Sequence, residues 1–193
     1  MEKHSDIVEM LGFGKSFQDF KINVHLNGRT NILPIEDLSE ITKKCMTLEN
    51  DEKKGTTERV LKACQKYGIA MVFDIHHHWC NTEGNYMKKD ANIIKDIINT
   101  WKGVRPTMHL SQSVANVWSD KNKLPDFSEI IKEHKKGKTF AHSQLIDNVE
   151  LVSYMLEYQR NFDIMIEAKQ KNIAVNEFLK IKKDLLKKSI NKS

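Results

Sequence analysis

The stretch MVFDIHHHWCN, residues 71–81, places an aspartate, three histidines and a cysteine at the end of an apolar run. The residues before Asp74 are apolar without alternation, which is typical of a strand that is covered on both faces. Several side chains that can bind metals therefore follow directly on a buried strand. Taken alone, the stretch is compatible with a metal site, a general base or a chance cluster of histidines.

Four other short apolar runs also carry, at or near their ends, a residue that can bind a metal. Each run is followed by a loop and then by a segment with helical periodicity, so strands and helices alternate. This order predicts a parallel α/β sheet, in which the carboxyl ends of the strands meet at one edge. The four runs are FKINVH with His25, CMTLEND with Glu49, TMHLS with His109 and DIMIEAK with Glu167.

About five of the eight βα units of a TIM-type barrel can be identified in this pattern. We therefore expect residues 1–193 to form a single α/β domain, an incomplete (β/α) barrel of TIM type, with a basic C-terminal helix over residues 169–193. The segment 111–140 is longer than most connections, which predicts a functional loop, and it contains one short helical piece, FSEIIKEH.

Three features of the helices can be predicted from periodicity and capping. TTERVLKACQKYG has an N-cap at Thr56 or Thr57 and a C-terminal stop at Gly68. A second helix is expected over residues 143–156. The closing helix is expected to turn its lysines to solvent and to bury Val175, Phe178, Leu179, Leu185 and Leu186.

The composition is that of a globular protein, with 39% hydrophobic and 30% charged residues. No apolar run approaches the roughly 18 residues of a membrane span. The N-terminal MEKHSD leads into no apolar signal segment, so we expect an intracellular protein without a membrane partner. Three cysteines without paired spacing are typical of a reducing compartment.

The basic residues are unevenly distributed over a chain whose formal net charge is +5. Lysines cluster in KEHKKGK, residues 132–138, and again from Lys169 to the end. Clustered lysines can neutralise phosphates, which favours a nucleic-acid partner. A solvated, lysine-rich helix face is the alternative interpretation, and charge alone does not distinguish the two.

The strand-end residues together form a mixed nitrogen and oxygen ligand set, which suits Mn²⁺, Zn²⁺ or Fe²⁺. The set exceeds the need of one ion, and carboxylates can bridge, so two or three ions are expected. Each residue alone also has a structural interpretation, such as a loop cap for Glu49 or an ion pair with Lys169 for Glu167. If the strand continued past Asp74, His76 and His78 would point away from His77 and would lie behind the site or at the surface. The predicted ligands are His25, Glu49, Asp74, His77, His109, His142 and Glu167.

Four motifs in this order, TLEND, VFDIHHHWCN, HLSQS and DIMIEAKQK, resemble the UV-damage endonucleases. The resemblance runs from about His25, in VHLNG, to about Leu179, and this family is similar to the endonuclease IV group of metal-dependent TIM-barrel repair nucleases. It implies incision of DNA immediately 5′ of cyclobutane dimers, 6-4 photoproducts, abasic sites and other lesions. It also implies a cluster of divalent ions, usually manganese, with zinc or magnesium as alternatives.

Carried over position by position, the resemblance implies that the same seven residues are the ligands. Glu49, Asp74, His109 and Glu167 are then expected to be central to catalysis. Damaged double-stranded DNA is the expected partner. The lysines expected to contact its backbone are Lys135, Lys136, Lys138, Lys169 and Lys171.

The sequence departs from the family pattern in two ways. Family members begin with a further N-terminal part that carries the first strands and additional histidine ligands. Thr107 stands where the family often has a lysine that can be modified to assist the metal site. A separately encoded N-terminal half and a non-catalytic remnant that binds DNA or a partner are therefore alternatives. Sugar isomerases similar to xylose isomerase, which use the same strand-end chemistry, are the alternative enzyme class.

Overall fold

The fold is seen in a computed structural model that describes residues 2–26 and 35–190. Its sheet has five strands, all neighbours run parallel, and the strands follow one another in chain order. Consecutive parallel strands joined by helices form the wall of a (β/α) barrel, so the predicted incomplete barrel is confirmed. The strands are β1 (Ile22–His25), β2 (Met46–Glu49), β3 (Ala70–Asp74), β4 (Thr107–Leu110) and β5 (Asp163–Ile166).

Helices precede the sheet, connect its strands and follow its last strand. Short 3-10 helices lie at Ile35–Asp37 and Val114–Trp118. The α-helices are α1 (Glu2–Met10), α2 (Glu40–Cys45), α3 (Thr57–Tyr67), α4 (Ile75–Asn81), α5 (Asn92–Thr100), α6 (Phe127–Glu133), α7 (Lys136–Phe140), α8 (Val149–Leu156) and α9 (Asn172–Ile190).

The side chains on the two faces of the sheet pack in different hydrophobic clusters, because successive side chains of a strand point to opposite faces. On β3, Met71 and Phe73 pack in the main core with side chains of α3, α5, α8 and α9. Ala70 and Val72 face the other way and pack with Trp101. Asp74 shares the face of Ala70 and Val72, so the inner face carries the strand-end carboxylate.

Helix α3 begins and ends as its sequence predicts. The hydroxyl of Thr56 accepts a hydrogen bond from the backbone N–H of Arg59. Gly68 follows the helix with a φ of 67°, a left-handed conformation that glycine adopts without steric cost.

The prediction for the residues after Asp74 was wrong in one respect. The strand does not continue, because the Asp74 carboxylate accepts a hydrogen bond from the backbone N–H of His77 and caps α4. His76, His77 and His78 are therefore successive residues of a helix, and all three are buried. His76 and His78 do not lie at the surface.

Two helix predictions also need correction. The helix predicted over 143–156 begins at Val149, where the side chain of Asn148 accepts from the N–H of Leu151. Within the segment 169–193 the helix spans Asn172–Ile190, and 191–193 lie outside the described residues. Phe178 is buried and Leu185 packs against the core, as predicted. The side chains that are exposed instead of buried are Val175, Leu179 and Leu186.

The sheet is open at both ends in the described part of the chain. β1 pairs only with β2, and β5 pairs only with β4. Alternate residues of both end strands are exposed, including Met165, whose exposed fraction is 54%. Among the helices within residues 2–26 and 35–190, none has both the length and the apolar character that crossing a bilayer demands.

Candidate metal centre

The carboxyl ends of the parallel strands bring the candidate ligands to one edge of the sheet. Glu49 is the last residue of β2 and Asp74 the last of β3, while Glu167 directly follows β5. The strand register pairs Asp74 with His109 of β4 and His25 of β1 with Glu49. Because Asp74 caps α4, the first turn of that helix returns His77 to the same edge.

Glu49 is fully buried and lies at the centre of the cluster. Its Oε1 atom is 3.1 Å from Nδ1 of His109 and 3.3 Å from Nδ1 of His77. Its Oε2 atom is 3.4 Å from Nε2 of His25, an exposed side chain at the rim. One carboxylate therefore contacts three imidazoles from three different elements.

His109 joins this carboxylate to a second one. Its Nδ1 atom is also 3.1 Å from Oε1 of Glu167. His142 is more peripheral, with Nδ1 at 4.0 Å from Oε2 of Glu167 and its ring centroid 5.8 Å from that of His77. The segment that carries His142 is held at the edge by a bridge to Ser113.

In the described part of the chain, two groups of side chains have ligand atoms that all lie within 4.8 Å of one another, and Glu49 belongs to both. The Oδ2 atom of Asp74 is buried without a hydrogen-bond partner among the described residues. An orphaned carboxylate oxygen beside imidazoles is a donor set that fits a divalent cation. The first group is His25, Glu49 and His77, and the second is Glu49, Asp74, His109 and Glu167.

The ion-free cluster is held together by charge. Burial alone would raise the pKa of Glu49, but hydrogen bonds from His109 and His77 outweigh burial and hold that pKa well below its usual range. Burial opposes the charged forms of His77 and His109, yet their carboxylate partners raise the pKa of each to about 10. Burial raises the pKa of Asp74, and the hydrogen bond with His109 lowers that of Glu167.

His76 differs from its neighbour His77 because no carboxylate in residues 2–26 and 35–190 pairs with it. Burial, followed by the charges of His77 and His142, lowers the pKa of His76 to about 3. Its Nε2 atom lies 3.3 Å from the backbone oxygen of Phe140 and 3.6 Å from Sγ of Cys80. His76 is therefore a neutral, packed side chain behind His77 and His142.

The structure thus brings six of the seven predicted ligands into the two groups and places His142 next to Glu167. Their role as ligands stays a prediction. The predicted DNA-contacting lysines lie in the connections that follow β4 and β5: Lys135, Lys136 and Lys138 at α7, and Lys169 and Lys171 before α9.

Sequence reasoning missed two amides that touch the cluster. Asn23 of β1 donates a hydrogen bond to Oε2 of Glu49 and accepts one from Thr47. Asn50 contacts Asp74 and His77. The available signal was their position: Asn23 lies two residues before His25, and Asn50 directly follows Glu49.

Comparison with known proteins identifies the family of this chain. The family model described as UV-endonuclease UvdE matches residues 1–192. The chain belongs to the UvdE family. The UV DNA damage endonucleases of Bacillus cereus (strain 03BB102) and Bacillus thuringiensis subsp. konkukian (strain 97-27) are both 32% identical to it over an alignment of 193 positions that covers 93% of this chain and 53% of each relative.

The crystal structure of SacUVDE has the same fold as this UvdE-family chain. The TM-score is 0.67 at 23% sequence identity, and the match covers 95% of this chain and 56% of SacUVDE. The chain thus spans about half the length of the curated relatives it matches. The buried Thr107, two residues before His109, is outside both ligand groups.

Proposed function

We propose that this chain provides the metal-binding part of a DNA repair endonuclease that cleaves damaged double-stranded DNA on the 5′ side of UV photoproducts and other lesions. The observation that best supports this is the carboxylate of Glu49, which joins two ligand groups in a chain of the UvdE family. Neighbouring ions that share ligands suit the hydrolysis of a phosphodiester. Two or three Mn²⁺ ions are expected, with Zn²⁺ or Mg²⁺ as alternatives.

Bound divalent ions would supply Lewis acidity, which lowers the pKa of water and neutralises charge on the departing oxygen. The side chains hold and orient the ions. His109 contacts both Glu49 and Glu167, so these two carboxylates are fixed relative to each other. His25 is exposed, with 42% of its side chain accessible, and it leaves this end of the centre open to a phosphate.

Incision of irradiated plasmid tests the proposal directly. With Mn²⁺ present, the chain is expected to convert UV-irradiated supercoiled plasmid to the nicked form and to leave unirradiated plasmid intact. Glu167→Gln is expected to abolish nicking while DNA binding is largely retained, because Glu167 contacts the ligand His109 and no phosphate-binding lysine. Glu150→Gln, on the exposed side of α8, is the control. Nicking by the Glu167 variant at the normal rate would remove this residue from the mechanism.

The lysines at α7 are expected to bind the DNA backbone without reading sequence. Each phosphate contact contributes about 0.9 to the slope of log affinity against log salt. Replacing Lys135, Lys136 and Lys138 by alanine should therefore lower the slope by up to about 3, measured by fluorescence anisotropy between roughly 50 and 200 mM salt. Lys66→Ala, on α3 and outside both lysine clusters, is the control; its Nζ lies 3.0 Å from Oε1 of Glu36. An unchanged slope in the triple variant would place the DNA elsewhere.

The open sheet supports a further part of the proposal. The free sides of β1 and β5, together with the exposed Met165, suit the additional βα units that close a barrel. These units belong to the same polypeptide or to a separate one. The alternative function, a fragment that binds DNA without cutting it, rests on the same open edges.

A complementation assay separates these alternatives. The N-terminal half of the Bacillus cereus relative, purified separately, is added to the chain before the nicking assay. If the barrel must be closed for catalysis, nicking should appear or rise only in the mixture, and Glu167→Gln should remove it. DNA binding without nicking in the mixture would favour the non-catalytic fragment. Sugar isomerisation instead of nicking would favour the isomerase class, which the family match opposes.

A further inference from the structure

Asn50 directly follows Glu49, one position past the end of β2, and it is completely buried. Its side-chain amide forms two hydrogen bonds with the backbone of a single residue, Asp74. The Nδ2 atom donates to the Asp74 oxygen at 2.8 Å, and Oδ1 accepts from the Asp74 N–H at 2.9 Å. A carboxamide carries the same donor and acceptor as a peptide group, so this pair resembles one rung of a β-ladder.

The position of this rung is informative. Backbone pairing between β2 and β3 ends where Glu49 lies opposite Val72. Pairing between β3 and β4 continues two residues further, to Asp74 and His109. At Asp74, therefore, the β4 side of the strand is held by backbone, while the β2 side is held by the side chain of Asn50.

Asn50 also fixes the second ligand of this loop. Its own backbone oxygen lies 3.0 Å from Nδ1 of His77. The Oδ1 atom of Asp74 accepts from the N–H of His77 at 2.7 Å, whereas Oδ2 has no hydrogen-bond partner among the described residues and lies 3.8 Å from Nδ1 of His77. Asp74 belongs to the ligand group that also contains Glu49 and His109.

We propose that Asn50 is a positioning residue: its amide replaces the β2 backbone in the sheet and holds Asp74 and His77 in the orientation required for cation binding. This inference rests on the proposed metal centre. A ligand whose backbone is fixed on both sides loses little freedom when an ion binds, so its affinity is higher. Without the amide, the end of β3 is anchored on one side only.

A comparison with Asn148, a matched residue, can distinguish positioning of the metal ligands from a purely structural role of Asn50. Asn148 is also completely buried, and its side chain also makes hydrogen bonds to backbone groups. It donates to the oxygen of Lys123 at 2.9 Å and caps α8 by accepting from the N–H of Leu151 at 2.8 Å. Asn148 belongs to neither ligand group, so its loss removes comparable bonds without touching the candidate ligands.

The experiment compares Asn50→Ala with Asn148→Ala, using Mn²⁺ alone as the probe. The free ion is counted by electron paramagnetic resonance, and the urea midpoint is measured for each variant. Both variants should have lower midpoints. The Mn²⁺ Kd of Asn50→Ala should rise about 10–100-fold, the usual effect of losing a partner of a metal ligand. The Mn²⁺ Kd of Asn148→Ala should stay within about twofold of that of the unaltered protein, because distant sites act independently. Equal Kd values for the two variants would overturn the proposal.

Amide hydrogen exchange in the unaltered, ion-free protein is a second readout, which can be measured even if Asn50→Ala does not fold. The N–H of Asp74 should exchange as slowly as that of Val72, which lies opposite Glu49 in the register of β2 and β3. Rapid exchange at Asp74 would show that the Asn50 amide does not hold it, and would also overturn the proposal. Neither readout involves DNA. A protein that passes both but does not nick irradiated plasmid, either alone or with the N-terminal half of the Bacillus cereus relative, would contradict the proposed function and leave the role of Asn50 intact.

Discussion

Replacing Glu49 with glutamine is expected to weaken binding of every divalent ion at this edge by more than about 100-fold, since loss of even an outer partner of a ligand costs about 10–100-fold. Glu49 is the one residue present in both ligand groups. Its oxygens lie 3.1–3.4 Å from imidazole nitrogens of His25, His77 and His109. Glutamine preserves the shape but removes the charge, so both groups lose their common anion.

Elemental analysis after dialysis against Mn²⁺ measures this effect. The unaltered chain should retain a stoichiometric amount of ion, and Glu49→Gln should retain almost none. Glu52→Gln is a suitable control, because Glu52 lies three residues away in the loop after β2, pairs with Lys53 at 3.5 Å and belongs to neither ligand group. Equal metal content in the Glu49 and Glu52 variants would show that the ions bind elsewhere.

The affinity of the unaltered chain for divalent ions should also depend steeply on pH. In the ion-free protein the pKa values of His77 and His109 are raised to about 10, so both imidazoles are protonated at neutral pH. A ligand imidazole must give up that proton, so filling the centre should release about two protons. Two released protons make the overall binding constant rise by about 100-fold for each pH unit below about 9.

Calorimetry in two buffers with different ionisation enthalpies gives the number of protons released. Heats that do not depend on the buffer would contradict the prediction, and His109→Asn should reduce the number by about one. The stability of the ion-free protein should change in the opposite sense. Both pKa values lie above the value of about 6.5 for an unfolded histidine, so this stabilisation is complete below that pH. It is lost as the pH rises toward about 10, whereas ion binding strengthens over the same range.

The strands were predictable because their signals are local. Each strand is a short apolar run, and a polar residue marks its end at His25, Glu49 and Asp74. Parallel connectivity then places these ends at one edge without further information. The candidate cluster could therefore be predicted from sequence, although the distances within it could not.

The errors arose where contacts between distant segments decide the structure. Residues 143–148 are not helical, because the side chain of Gln112 accepts hydrogen bonds from the N–H groups of Asp147 and Asn148 and holds them in an extended segment. Val175 and Leu179 have the periodicity of core residues but are exposed, because no described element covers that side of α9. Helical periodicity shows that a face is apolar and does not show whether another element packs on it.

The cap at Asp74 is an intermediate case. An aspartate at the end of a strand is a recognised helix N-cap, and this would have placed His76 and His78 on a helix. The apolar Ile75 after it favoured a longer strand instead. Here the capping signal of Asp74 outweighed the preference of Ile75 for a strand.

If Glu49 serves two neighbouring cations, as proposed, the occupancies of the two sites are interdependent. The first ion would meet Glu49 before any of its charge is shared with another cation. The second would meet a carboxylate whose charge is already partly neutralised, and it would be repelled by the first. Loading should therefore be stepwise, with two separated affinities and negative cooperativity. At limiting metal supply the protein would accumulate in a half-loaded state.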